Sequence, residues 1–282
     1  MNEIVKYDNI LNQITFRDFD ENDFNLFMVL CSRMRDLGED KQVFEYDYLM
    51  DLMDWDRSQR LDVFHAEVKK MAHKLHLIAD VDLSDDEWVS FDLFPTLRGN
   101  KKKKLLTVQI NPEFKYVLND ITKNFTRFEL KEYVQLNGRY SKQLYQHLKQ
   151  YKSTGWWQVS VEELRHELSI PDSMETMRIT TKILNPSIAV IRSCKGFSDL
   201  KVEVLRSRRR GRRVEGYKFK WTANKQIKGQ MSLEDYQGDT QKAIQAKKKK
   251  AAKQKSDFDN FEQRKDSEQD FDEFVKKLTR KN

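Results

Sequence analysis

At 282 residues, with 52 Lys and Arg against 45 Asp and Glu and a net charge of +7, the chain exceeds one small domain and suits two of roughly 100 residues plus additional sequence. An apolar share of 38% can fill two cores, while the charged share of 34% demands a very polar remainder. No apolar run nears the roughly 20 residues of a membrane span, and Cys31 and Cys194 lie far apart with no paired or metal-ligand spacing, so a disulfide scaffold and a membrane partner are excluded and a cytoplasmic protein is expected.

In chain order, Phe24, Phe27, Met28, Cys31 and Met34 recur at helical spacing and predict a helix over 23–35. A short helix over 47–53 follows, then a tight connection at Asp54, Trp55 and Asp56. Ser58 is placed to cap a third helix whose apolar stripe is Leu61, Phe64, Val68, Met71 and Leu75. The period then changes to two. Val89, Phe91 and Leu93 are read as one strand and Leu106, Val108 and Ile110 as its return, with Arg98, Gly99, Asn100 and Lys101 to Lys104 at the tip. Helix, short helix, helix and basic-tipped hairpin is the winged-helix order, a variant of helix-turn-helix.

The order recurs in the second half. Tyr140, Leu144, Leu148 and Tyr151 stripe a helix that stops before Gly155, and Trp157 and Val159 supply a short strand. Ser160, with Glu163 three residues on, forms a capping box for a helix ending before Pro171. A longer helix carries Met177, Thr180, Leu184, Ile188 and Ile191 inward, with Pro186 kinking it. A second hairpin pairs Leu200, Val202 and Val204 with Tyr217, Phe219 and Trp221. Its tip holds six arginines in eight residues: Arg206, Arg208, Arg209, Arg210, Arg212 and Arg213.

Beyond Thr222 the periodicity fades into a Gln- and Lys-rich segment. The expected division is a first winged-helix domain over 1–122, a second over 123–223, and a charged, largely disordered tail over 224–282, an α+β protein throughout. Phe258, Phe261, Phe271, Phe274 and Leu278 fit either a short partner-binding helix or a solvated tail.

The charge pattern points to nucleic acid. On the long helix Arg178, Thr181 and Lys182 face outward, where Arg can pair bidentately with guanine and Thr can meet a thymine methyl or a phosphate. The same spacing also fits an ordinary solvated face. The clustered wing arginines repel one another unless a polyanion relieves them, and guanidinium suits phosphate or a narrow minor groove better than ammonium does. Ser58, Arg60, Lys101, Lys102 and Lys103 occupy the matching places in the first half, but Asp51, Asp54, Asp56 and Asp62 oppose close DNA approach there. That helix therefore fits dimerisation or limited DNA contact. No His-x-His pair exists for a metal-dependent nickase, and His73 with His76 would need a third ligand. No phosphate-binding Gly-x-x-x-x-Gly-Lys-Ser/Thr loop exists either, so neither an enzyme nor a bound cofactor or metal is expected.

The run from Asn137 to Trp156, NGRYSKQLYQHLKQYKSTGW, resembles the signature of the initiator Rep proteins of iteron-containing plasmids. The likeness continues through Val161-Glu-Glu-Leu-Arg165, Leu184-Asn-Pro-Ser-Ile188, Gly216-Tyr-Lys-Phe219 and Ile110-Asn-Pro-Glu-Phe114, spanning about Ile4 to Trp221. It implies a tandem winged-helix initiator whose monomer binds double-stranded origin DNA at direct repeats, with Ser141 and Lys142 of the signature among the DNA contacts. It also implies a homodimer in equilibrium with that monomer, repressing its own gene in plasmid copy control, and recruitment of a host initiator ATPase and a replicative helicase. A winged-helix repressor without initiation activity and a nicking relaxase are the competing readings.

Overall fold

The computed structural model describes residues 3–16, 18–75, 80–84, 87–90, 92–119, 121, 123–207 and 213–223. Helix α1 (Glu21–Met34) begins in a reciprocal box: Asp20 accepts from the backbone N–H of Asp23, whose carboxylate accepts from the N–H of Asp20. Strand β2 (Gln42–Glu45), helix α2 (Tyr46–Leu52) and helix α3 (Leu61–Leu75) follow. Ser58 does not cap α3. Its N–H bonds the Asp56 carboxylate at 2.9 Å in a local turn, and the helix begins only at Leu61.

The first hairpin also differs from expectation. Leu106 and Val108 of β6 (Leu105–Gln109) pair with β5 (Thr96–Asn100), not with residues 89–93. Leu93 and Phe94 are adjacent and both buried, which a half-exposed strand cannot accommodate, and Pro95 lacks the N–H needed to continue a ladder. Strand β4 (Glu87–Ser90) pairs instead with β3 (Asp80–Ser84) as a separate hairpin, and Phe91 lies outside the described residues. The four lysines from Lys101 to Lys104 do form the β5–β6 turn, closed by Lys104 at φ 55.

An element with no sequence signal bridges the halves. Strand β1 (Ile4–Asp8) pairs antiparallel with β7 (Phe125–Glu129), across the expected division at 122/123. Helix α4 (Leu130–Val134) leads to α5 (Arg139–Gln150), which starts at Gly138 with φ 83, a conformation glycine adopts freely. The Gly138 N–H donates to Glu21 of α1 at 2.6 Å.

The second winged helix is formed by α5, β8 (Trp156–Ser160), α6 (Val161–Glu167), a helical run over 176–191, β9 (Lys201–Arg206) and β10 (Val214–Lys220). Ser160 and Glu163 make the expected capping box. The two halves repeat each other in sheet topology: β2-β6-β5 in the first and β8-β10-β9 in the second. In both, the strand after the first helix pairs with the returning strand of the wing, so each wing is anchored to its own three-helix core. Gly216 is required by that anchoring, because a Cβ there would sit 2.4 Å from the Val159 carbonyl oxygen across the β8–β10 pair. One apolar cluster runs through both halves, from Val5 to Trp221. The expected tail over 224–282, its phenylalanine-rich stretch and His76 lie outside the described residues.

Candidate nucleic-acid interface

The helical run over 176–191 changes geometry twice. It opens as α7 (Thr176–Arg178), widens to a π-helix over Ile179–Leu184, and returns to α geometry as α8 (Asn185–Ile191). The Asn185 N–H donates to the Thr180 carbonyl, five residues back. Pro186 supplies the reason: with no N–H to give to the carbonyl four residues earlier, it breaks the ordinary ladder, and the turn before it widens.

The extra residue in that turn alters which side chains face the core. Ile179, Ile183, Leu184, Ile188 and Ile191 are buried, whereas Met177, expected inward, is 66% exposed, and Thr180 is half-buried. Arg178, Thr181 and Lys182 are exposed, as their assignment to a DNA-facing surface requires. Among the described residues the Arg178 side chain makes only an exposed ion pair with Glu175 at 3.3 Å, which adds little to stability and is easily exchanged for a phosphate or a base.

Two side chains outside the expected contact set, both within segments that carry the family likeness, hold this helix in place. Arg165 at the end of α6 donates to the carbonyls of Pro171 at 2.9 Å and Met174 at 2.5 Å, and to the Thr176 hydroxyl at 3.4 Å, fastening the turn of the helix-turn-helix. Tyr217 of β10, fully buried, donates to the Thr176 carbonyl at 3.3 Å and lies 3.5 Å from the Thr180 hydroxyl. Tyr217 thereby joins the start of the helix to the returning strand of the wing, so helix and strand are held in one fixed relation. At the wing, Arg206 and Arg213 are exposed and the Ser207 N–H donates to the Arg213 carbonyl at 2.8 Å. Arg208, Arg209, Arg210 and Arg212 lie outside the described residues.

The first half is electrostatically quieter than its lysine count suggests. Arg60 is 3.3 Å and Lys101 2.7 Å from the Asp62 carboxylate, Lys104 is 3.8 Å from Asp47, and Arg57 pairs with Asp51. Ser58, Lys102 and Lys103 are exposed. Carboxylates on α2 and at the start of α3 thus offset much of the positive charge at the β5–β6 turn. Asp20, Asp23 and Glu67 gather closely nearby, but the ammonium groups of Lys70 and Lys74 already sit among them.

The signature helix α5 proves to be a core element. Every residue from Ser141 to Lys149 is buried. Lys142, assigned to DNA on sequence grounds, has no exposed surface; its ammonium donates to the Tyr133 and Val134 carbonyls at 2.9 and 3.3 Å and closes the C-terminal end of α4. Burial pushes its pKa down to about 8. Ser141 is 5% exposed. Neither side chain faces a duplex here. The reason is that α5 packs against α1 on one side and against β7, the π-turn and α8 on others, so even its polar positions turn inward. Lys149, also buried, pairs with Glu132 of α4 at 2.8 Å. Burial pushes the Glu132 carboxyl up, but the Lys149 charge, with hydrogen bonds from Lys149, Tyr145 and the Lys195 N–H, holds it below the usual carboxylate range.

A second buried pair behaves oppositely. His147 stacks on Trp157 at 5.2 Å and lies 3.8 Å from Glu167, whose buried Oε2 has no hydrogen-bond partner among the described residues. Burial, reinforced by the Glu163 carboxylate, pushes Glu167 up to about 8, and burial pushes His147 down to about 4. A raised carboxyl contributes stability below its ordinary value of 4.5 that is lost as pH climbs toward 8. Glu167→Gln cannot ionise. Its Tm should therefore gain on the wild type as pH goes from 5 to 8, because His147 titrates alike in both; a constant Tm difference across that range would refute the buried-carboxyl assignment.

The fold and this surface define a tandem winged-helix protein. Family comparison names it more closely: residues 4–149 match the model described as "Initiator Replication protein, WH1" and residues 160–221 the one described as "Initiator Rep protein, WH2". The chain belongs to the initiator replication protein family. It is 30% identical over 222 residues to the "Probable replication protein rep" of Bifidobacterium longum (strain NCC 2705), covering 77% of this chain and 72% of that one. Among solved structures it is similar to the Pi initiator protein in complex with iteron DNA, at 18% identity and a TM-score of 0.61, covering 80% of this chain and 99% of that one. No helix among the described residues is long and apolar enough to cross a membrane.

Proposed function

We propose that this chain initiates replication of the plasmid that encodes it by binding directly repeated origin sequences, the iterons, as a monomer. The observation that carries this reading is the Tyr217 link, which ties the start of the exposed helix face to β10, the strand that returns from the arginine-rich segment of the second domain. Arg178, Thr181 and Lys182 read or grip the major groove, and Arg206, Arg208, Arg209, Arg210, Arg212 and Arg213 hold the flanking backbone or minor groove. The first domain, with Ser58, Arg60, Lys101, Lys102 and Lys103, makes weaker contacts, since two of these cations are already paired with Asp62. It also dimerises, and the dimer represses the chain's own gene. Membership of the initiator family and the likeness to an initiator solved on iteron DNA support this assignment.

Several bound copies share the free energy of strand opening, after which the host initiator ATPase and replicative helicase are recruited in the cytoplasm. The domains divide near 122/123, and 224–282 serves as a charged tail.

Footprinting on the DNA flanking the gene, combined with permanganate probing of the same DNA when supercoiled, tests the reading. Tandem protected sites at helical-turn spacing with opening and no nick are expected. Protection of a lone inverted repeat without opening would favour a repressor, and a strand nick would favour a relaxase. Within the protected site, Arg178→Ala should reduce preference for origin over random duplex by roughly tenfold or more; equal loss on both DNAs would remove Arg178 from base reading.

A further inference from the structure

The π-turn creates a reading surface that simple helical spacing does not contain. Counting back from the buried Leu184, Ile188 and Ile191 in steps of an α-helix puts Met177 in the core. One added residue in the turn over Ile179–Leu184 rotates the N-terminal part of the helix, so that Ile179 takes the buried place and Met177 turns to solvent. The outward positions then run 177, 178, 181, 182, 185, 186 and 189, all exposed.

From this geometry we infer that Met177 and Asn185 are specificity-determining residues of the DNA-reading face, flanking Arg178, Thr181 and Lys182; the inference rests on the second domain's being the origin-binding one. The exposed positions are spaced by four residues, at 177, 181, 185 and again at 178 and 182, forming one continuous strip. At about 1.5 Å per residue or slightly less, the strip from 177 to 185 is about 12 Å long, or three to four base-pair steps at roughly 3.4 Å each. An α-helix lying in the major groove reads about that length with one face.

The chemistry of the two added residues differs from that of their neighbours. Met177 is the most exposed large apolar side chain among the described residues and sits in the first turn, beside Arg178. An uncovered thioether chain on a soluble surface is unfavourable to leave in water but well matched to the 5-methyl group of thymine, and its flexibility lets it fit that contact. Asn185 is exposed and makes no side-chain hydrogen bond to another described residue. Its amide offers one donor and one acceptor in the arrangement that pairs bidentately with adenine N6 and N7. The strip therefore carries an apolar contact at one end, a guanine-type reader and a hydroxyl near it, and an adenine-type reader at the other end. Pro186, which causes the wide turn, is also next to Asn185, so the element that shifts the register places this reader at the exposed edge of the next turn.

The test is a duplex pool with a randomised central segment, from which the full-length wild type selects a sequence; affinities are then measured for every single base-pair substitution of that sequence. Met177→Ala and Asn185→Ala, both at exposed positions and checked for unchanged Tm, should each flatten the preference at one or two base pairs by about tenfold, with the two affected places three or four base pairs apart. Affinity for random duplex should stay within twofold. If the wild type selects a sequence and Arg178→Ala blunts that selection while both new variants keep the wild-type profile, the inference fails and the domain assignment stands. If the wild type selects nothing, the domain assignment itself fails and this inference with it. Flattening at the same base pair by both variants would also overturn it, because one strip cannot read one pair from both its ends.

Discussion

Exchange of Arg206, Arg208, Arg209, Arg210, Arg212 and Arg213 for glutamine is expected to abolish tight binding to origin and random duplex alike. Each phosphate neutralised by a cation contributes about −0.9 to the slope of log affinity against log salt, through release of condensed counterions. Six lost contacts would make that slope shallower by about five. Both DNAs suffer equally because phosphates are the same in every sequence. The matching exchange of Lys101, Lys102 and Lys103 should change the slope by far less, since Lys101 is already 2.7 Å from the Asp62 carboxylate and releases few counterions on meeting DNA. The measurement is a salt titration by fluorescence anisotropy on both duplexes. An unchanged slope in the six-arginine variant would mean that the second wing does not touch the backbone.

Glu132→Ala is expected to destabilise the fold by about 3 to 5 kcal/mol, the usual consequence of leaving one member of a buried ion pair behind. Glu132 accepts from Lys149, Tyr145 and the N–H of Lys195, and so ties α4, α5 and the loop ahead of β9 together. Lys149 is 3% exposed at its side chain, so its ammonium is largely cut off from water in the folded protein. The pH dependence carries the matching sign. A carboxyl held below its ordinary value of 4.5 contributes stability above that pH and loses it as pH falls through the lowered value. Urea unfolding at pH 7 and pH 4 reads both effects: the gap between wild type and variant should be large at pH 7 and begin to narrow on acidification. A midpoint within experimental scatter of the wild type at pH 7 would show that Lys149 finds another partner.

These two expectations draw on different kinds of information. The wing is legible from sequence because it is local: alternating Val202, Val204, Tyr217 and Phe219 frame a turn, and charge density needs no distant partner to be seen. The α1 stripe, the Ser160 capping box and the repeated helix-strand order are legible for the same reason. They depend on residues within a few positions of one another. The Glu132 network is not, because its partners at 145, 149 and 195 meet only when three elements pack.

What the amino-acid order determined by itself was the tandem pair of winged helices and their basic tips, since helical and strand periods, caps and turn residues act over one or two turns of chain. Only the tertiary structure decided which polar residues of α5 are enclosed, that Lys142 closes the end of α4 instead of facing a duplex, and that β1 joins β7 across the two halves. It also decided the outward turn of Met177, because the wide turn ahead of Pro186 brings Ile179 and Ile183 to the buried side. Amphipathic spacing shows that a helix has a buried side; which side, and whether there is more than one, is set by the neighbours that remove it from water.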